Sequence, residues 1–177
     1  MAGFSGGPTS TAKPGPRPQL QEALAAQALL LGRYSADWFA TRWLRRAGEW
    51  AQALNRLPKY VVSSTLHNAR WSNATVLGGA LLDEISAVKD QVDGDIVVYA
   101  SIQLVHALTE HDLVDELRLT VHPVVLGSGR RIFTTTSTTT PLRLVGRRSL
   151  AHHLVHLTYQ PVRDGDAGAV ADLEQRQ

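Results

Sequence analysis

The chain has 177 residues, 44% of them hydrophobic and 19% charged, enough apolar content for one α/β domain with a substantial core. Eighteen basic residues against sixteen acidic ones leave a net charge of +2, too balanced to mark a nucleic-acid or membrane partner. The absence of cysteine excludes disulfides, a thiolate nucleophile and thiolate metal sites.

No apolar run approaches the ~20 residues of a membrane span, and Met1–Ser5 lacks the basic start of a secretory signal, so a cytoplasmic protein is expected. Residues 1–19 are rich in Gly, Pro, Ser and Thr, with Phe4 as their one aromatic, and are expected to be flexible. A short helix from Leu20 leads into Ala28–Leu31, a buried strand. Gly32-Arg33-Tyr34-Ser35 then opens a helix expected to turn Trp38, Phe39 and Trp43 inward. The polar stretch Arg45–Leu57 reads as helix plus loop, closed by Pro58. Tyr60–Ser63 is a strand, a brief strand lies near Val76, Leu81–Val88 is a helix and Asp93-Gly94 is a turn.

Ile96–Tyr99 forms a short β-branched run suited to a buried strand. Ala100-Ser101 then turns into a helix with Leu104, Val105 and Leu108 on one face. Leu117, Leu119 and Val121 alternate with Glu116, Arg118, Thr120 and His122, the period-two signature of a half-buried strand, here read as running on into Pro123–Gly129. Thr134–Thr140 reads as a low-complexity surface loop. Leu142–Arg148 and His153–Gln160 are two further strands, and a charged, Gly/Ala-rich tail expected to fray begins at Arg163. Alternating strands and helices without an internal repeat predict an α/β sheet domain over residues 20–162.

The run Leu113–Leu119 (LVDELRL), followed by Pro123–Gly129 (PVVLGSG), resembles the dihydrofolate-reductase-like superfamily, in the branch holding the reductase domain of the bifunctional riboflavin-biosynthesis deaminase/reductase. Leu29-Leu30-Leu31-Gly32-Arg33 and Pro58–Leu66 match upstream in the expected order, so the resemblance covers Leu20 to Pro161. It implies a mixed, mainly parallel twisted sheet flanked by helices, with an antiparallel C-terminal hairpin. It also implies NADPH as cofactor and a small heterocyclic or carbonyl substrate, as in reduction of 5-amino-6-(5-phosphoribosylamino)uracil. Family members commonly dimerise, and the apolar Val121–Leu126 stretch suits a homodimer. The deaminase half is not expected, because its zinc signature needs cysteines.

Two departures accompany the resemblance. The family begins with a strand and a Ser-Leu-Asp-Gly-like turn, for which residues 1–19 offer no counterpart, so the usual first strand is expected to be missing. Ala100 stands where the family usually has Gly. Both leave open an alternative, a non-catalytic cofactor-binding or structural member of the fold.

The resemblance places the cofactor at three strand ends, two of them turning into helices whose unpaired amides and positive dipole ends suit phosphate, the third supplying hydroxyl donors. These are Gly32, Arg33 and Ser35; Ser63 and Ser64; and Ala100, Ser101, Ile102, Gln103 and Leu104 along the pyrophosphate. Arg33 is the expected partner of the 2′-phosphate, since an always-charged bidentate donor suits a dianion. Hydride transfer to an imine or carbonyl needs a proton delivered to the other atom, and Asp115 and Glu116 are the carboxylates inside the signature. Strand alternation lets at most one of them face a given pocket, and both equally suit a plain solvated strand start. No metal is expected: His152 and His156 would lie ~13 Å apart along a strand. The four tryptophans read as packing residues, and Arg130-Arg131 and Arg147-Arg148 as solvated loop ends.

Overall fold

Three consecutive leucines set the centre of the fold. A computed structural model describes residues 18–133 and 140–163. In it β1 (Ala28–Gly32) is buried from Ala28 to Leu31, so the strand needs an apolar layer on both sides. Leu29 and Leu31 face one layer and Leu30 the other. The first layer holds α1 (Pro18–Ala25), α2 (Arg33–Trp43) and α3 (Glu49–Arg56), packed through small residues such as Ala23, Ala36, Ala40 and Ala53. The second holds α4 (Leu81–Gln91) and α5 (Ile102–Glu110), through Ile85, Val88, Leu104 and Leu108.

β1, β2 (Lys59–Val62), β3 (Ala74–Leu77) and β4 (Ile96–Val97) form a parallel sheet in the order β3-β2-β1-β4. β5 (Leu117–Val121), β6 (Leu142–Ser149) and β7 (Val155–Pro161) form an antiparallel sheet in the order β5-β7-β6, with a bulge between Leu144 and Gly146. The expected α/β class and C-terminal hairpin are both present. The pairing nevertheless divides into two sheets, because no described strand lies between β4 and β5. α1 spans the division: Arg118 Nη1 meets Glu22 Oε1 at 2.8 Å, Gln19 Nε2 donates to Thr120 Oγ1 at 3.4 Å, and the Tyr99 hydroxyl donates to the Gln19 carbonyl at 3.3 Å.

Three expectations need adjustment. α1 begins at Pro18, two residues before the predicted domain start. Residues 1–17 and 164–177 of the two segments expected to be flexible, and residues 134–139 of the threonine loop, lie outside the described residues, and so does the stretch on which the expectation of a missing first strand rests. Trp38 faces solvent beneath the Arg42 guanidinium, while Phe39 and Trp43 pack inward. The inner stripe runs Ala36, Ala40, Trp43 at helical spacing, and Trp38 falls off it. Strand pairing also stops at Val121, so Val124, Val125 and Leu126 form an exposed loop. Pro123 cannot donate to a ladder, and Gly127 and Gly129 turn the chain with φ of +71° and +141°.

Candidate cofactor site at the strand ends

The chain leaves β1 through α2 on one face of the sheet and leaves β4 through α5 on the other. Strand order reverses between these neighbours, which opens a crevice at their carboxyl ends, the topological switch point where α/β sheets take ligands. Three predicted residues meet there. The Gly32 amide donates to Ser101 Oγ at 3.0 Å, and the Ser101 amide donates to Ser35 Oγ at 3.0 Å. Ser101 Oγ in turn donates to the Tyr99 carbonyl at 3.1 Å. A Cβ on Gly32 would stand 3.8 Å from both Cβ and Oγ of Ser101, filling the space glycine leaves open.

Ala100 and Ser101 are both left-handed, each with φ of +55°. That conformation is native to glycine and costs an L-residue about 1–2 kcal/mol. It gives a physical reason for the glycine the resemblance expects at Ala100. It also launches α5 with first-turn amides that have no intrahelical acceptor: the Val105 amide is the first to reach one, the Ser101 carbonyl at 2.9 Å. Ile102, Gln103 and Leu104 therefore contribute backbone here, and the Leu104 side chain belongs to the core.

At the end of β2, Ser63 Oγ accepts from the amides of Thr65 at 3.3 Å and Leu66 at 3.1 Å, a side-chain turn that stops the strand. Arg33 Nη1 donates to Thr65 Oγ1 at 2.8 Å, so the guanidinium is drawn across from α2 to the Ser63–Thr65 turn. Arg33, Ser64 and Thr65 are exposed, a cation beside hydroxyls with room for a phosphate. A fourth strand end was passed over in the sequence reading. Gly78-Gly79 joins β3 to α4 beside the Ser63 carbonyl, and the Gly79 amide donates to Glu84 Oε1 at 2.9 Å. Its signal is the strand, small-residue turn and helix also seen at Gly32 and at Ala100-Ser101.

Asp115 and Glu116 lie at the amino end of β5, whereas the cluster sits at the carboxyl ends of β1, β2 and β4. Asp115 is exposed and bridges Arg163 at 2.8 Å and Lys89 at 3.2 Å. The hydrogen bond from Arg163, reinforced by Lys89, holds its carboxyl below the usual carboxylate range. A carboxyl kept ionised by two cations is a poor proton donor. Glu116 pairs with the Arg118 guanidinium, which also holds Glu22.

The sequence profile of the RibD C-terminal domain family matches residues 4–156. The chain belongs to the RibD C-terminal domain family. A curated relative, the uncharacterized protein YyaP of Bacillus subtilis (strain 168), is 33% identical over 101 residues, which span 57% of this chain and 53% of that protein. Among solved structures, a putative riboflavin biosynthesis protein from Shewanella sp. PV-4 superposes with a TM-score of 0.68 at 18% identity, covering 88% of this chain and 84% of its own. A pyrimidine reductase-like protein from Corynebacterium diphtheriae gives 0.60 at 14% identity, covering 82% and 80%. These likenesses show the riboflavin-pathway reductase-like fold, in which the resemblance read from Leu113–Gly129 is met.

In this RibD C-terminal domain two further residues escaped the sequence reading. Lys59 is buried at 1% exposure, its Nζ donating to the carbonyls of Asn55 at 2.9 Å and Leu57 at 2.7 Å and lying 4.7 Å from the Trp71 ring centroid. Burial lowers its pKa to about 8. Tyr99, at the mouth of the crevice, has its hydroxyl pKa raised by burial and by neighbouring Glu22, so the phenol keeps its proton. No periodicity announces either environment. Among the described residues, no group of three or more metal-ligating side chains comes together, and no helix is long and apolar enough to cross a membrane.

Proposed function

We propose that this chain is an NADPH-dependent reductase of a small heterocyclic or carbonyl compound, similar to the riboflavin-pathway pyrimidine reductase. The observation that carries the reading is the crevice between β1 and β4, where Gly32, Ser35 and Ser101 are tied together beside the free amides of α5. A second support is Arg33, held by Thr65 at the end of β2. The residues fit a dinucleotide. The amides of Ile102, Gln103 and Leu104 would hold its pyrophosphate, and Arg33 with Ser64 and Thr65 would hold a 2′-phosphate. When bound, the nicotinamide supplies the hydride. The Gly32 position keeps the crevice open to admit it, and Ala100 narrows the approach by one methyl.

Titration with NADPH and with NADH, followed by tryptophan fluorescence, tests the proposal. It expects NADPH affinity of ~1–10 µM and clear preference over NADH. Failure of a folded protein to bind either nucleotide would overturn it. The alternative, a cofactor-binding member without catalysis, is favoured by one observation: Asp115 and Glu116 are both engaged in ion pairs away from the crevice. NADPH binding without oxidation across a panel of pyrimidine and carbonyl substrates would select it.

A further inference from the structure

One face of the antiparallel sheet is polar and lies against α1, and the two enclose a cavity of about 430 Å³. Register fixes which residues share that face. Arg118 stands opposite Thr158 and Thr158 opposite Gly146, while Thr120 stands opposite His156 and His156 opposite Arg148. Gly146 brings no side chain, so the floor of the cavity is bare there. A Cβ at Gly146 would meet Thr158 Oγ1 at 3.5 Å, which puts the Thr158 hydroxyl beside the bare strip.

Charge in the lining is divided between two ends. On the β4 and β5 side, Glu22, Asp95 and Glu116 stand against a single cation, Arg118. Arg118 holds both glutamates, Glu22 through Nη1 at 2.8 Å and Glu116 through Nε, and Asp95 has no ion pair among the described residues. Three carboxylates and one guanidinium leave a surplus of two negative charges. On the β6 side, Arg147 and Arg148 have no carboxylate partner among the described residues, a surplus of two positive charges. The Arg148 fork reaches only the Gln21 amide oxygen, 3.5 Å from both Nη1 and Nη2, the outer limit of a hydrogen bond.

Neutral donors reinforce the positive end. Thr120 Oγ1 accepts from Gln19 Nε2 at 3.4 Å and gives its own proton to His156 Nδ1 at 3.2 Å. The His156 ring then carries its proton on Nε2, which has no partner among the described residues. The Arg148 fork, the His156 N–H and the Thr158 hydroxyl thus come from adjacent strands to the same cavity, a donor set suited to a carboxylate.

An anion alone would fit this end and meet the surplus carboxylates at the other, and a cation alone would do the reverse. β5 and β6 flank β7, ~10 Å apart at ~4.8 Å per strand, too far for two charges on one carbon atom to reach both ends. Gly146 and Ala25 offer uncharged surface between the ends, suited to a short hydrocarbon chain. Arginines on an outer strand also discourage edge pairing, but that role requires neither a cavity nor an opposing surplus.

We propose that the cavity between α1 and the β5-β7-β6 sheet binds a small ω-ammonium carboxylate. Its carboxylate lies on Arg148, His156 and Thr158, and its ammonium among Glu22, Asp95 and Glu116.

Isothermal titration of the full chain with 6-aminohexanoate tests this, with hexanoate and hexylamine as singly charged controls. The expected dissociation constant is ~0.1–1 mM for 6-aminohexanoate and at least ~tenfold higher for each control. Arg148→Met and Asp95→Asn change exposed side chains, and each is expected to weaken 6-aminohexanoate at least ~fivefold while the urea midpoint stays unchanged. No binding of 6-aminohexanoate at about 10 mM overturns the proposal. Hexanoate or hexylamine binding as tightly as 6-aminohexanoate overturns it in favour of a site for one charge. Unchanged affinity in either variant overturns it by placing the ligand elsewhere.

Discussion

Replacing Arg33 with Met removes the guanidinium and keeps most of the apolar stem. In the structure Arg33 is exposed and its Nη1 is anchored by Thr65 at 2.8 Å, which leaves the rest of the fork to meet a phosphate. Hydrogen bonds to a charged group contribute about 1.5–3 kcal/mol, and exposure to solvent favours the low end, about 1.5–2 kcal/mol. At 1.4 kcal/mol per factor of ten, NADPH binding should weaken ~10–30-fold. NADH lacks the 2′-phosphate, so its binding should change less than ~twofold, and the NADPH penalty should shrink as salt rises and screens the pair. Isothermal titration with both nucleotides at low and moderate ionic strength measures all of this. Equal losses for NADPH and NADH, or no loss for either, would refute the assignment of Arg33 to the 2′-phosphate.

Ala100→Gly relieves a left-handed alanine costing about 1–2 kcal/mol, offset by the greater freedom of glycine in the unfolded chain, so stability should rise by about 0.5–1 kcal/mol in urea denaturation. NADPH binding should tighten in the same variant, and a loss of stability would show that the methyl packs usefully. Lys59 has a folded-state pKa of about 8 against an ordinary 10.5. Below pH 8 both states carry the proton and the cost of burying the charge is felt in full. Above it the unfolded chain binds more protons than the folded one, so stability rises with pH across this window, by up to about 3 kcal/mol. Lys59→Met should lack that rise, and a stability difference between the two proteins that stays constant from pH 7 to 10.5 would contradict the burial. Asp115→Asn breaks two exposed ion pairs and should cost less than about 1 kcal/mol in the same denaturation assay. A larger loss would mean these pairs carry more of the fold than their exposure indicates.

The local pieces of this protein are legible from residue order alone. The leucine run of Ala28–Leu31, too short for a helix of its own, reads as a buried strand, and the small-residue turns at Gly32 and Ala100-Ser101 could be read because strand, turn and helix follow one another within a few residues, whereas Ser63 reads as a strand end alone. The ordered signature from Leu113 to Gly129 carried the family. What lay beyond that reach depended on contacts distant along the chain. Gly32 and Ser101 are 69 residues apart and Arg33 and Thr65 are 32 apart, and only the parallel pairing of β1 with β2 and β4 brings them to one sheet edge. Asp115 and Glu116 sit in the signature yet fall at the opposite end of their strand, because α5 returns the chain to the amino edge before β5 begins. Lys59 looks like a surface lysine in sequence and is buried because the last carbonyls of α3 need a donor there. The division between β4 and β5 is the fullest case: side-chain patterning says which face of a strand is apolar, but strand order and open edges are set by backbone hydrogen bonds that every sequence carries alike.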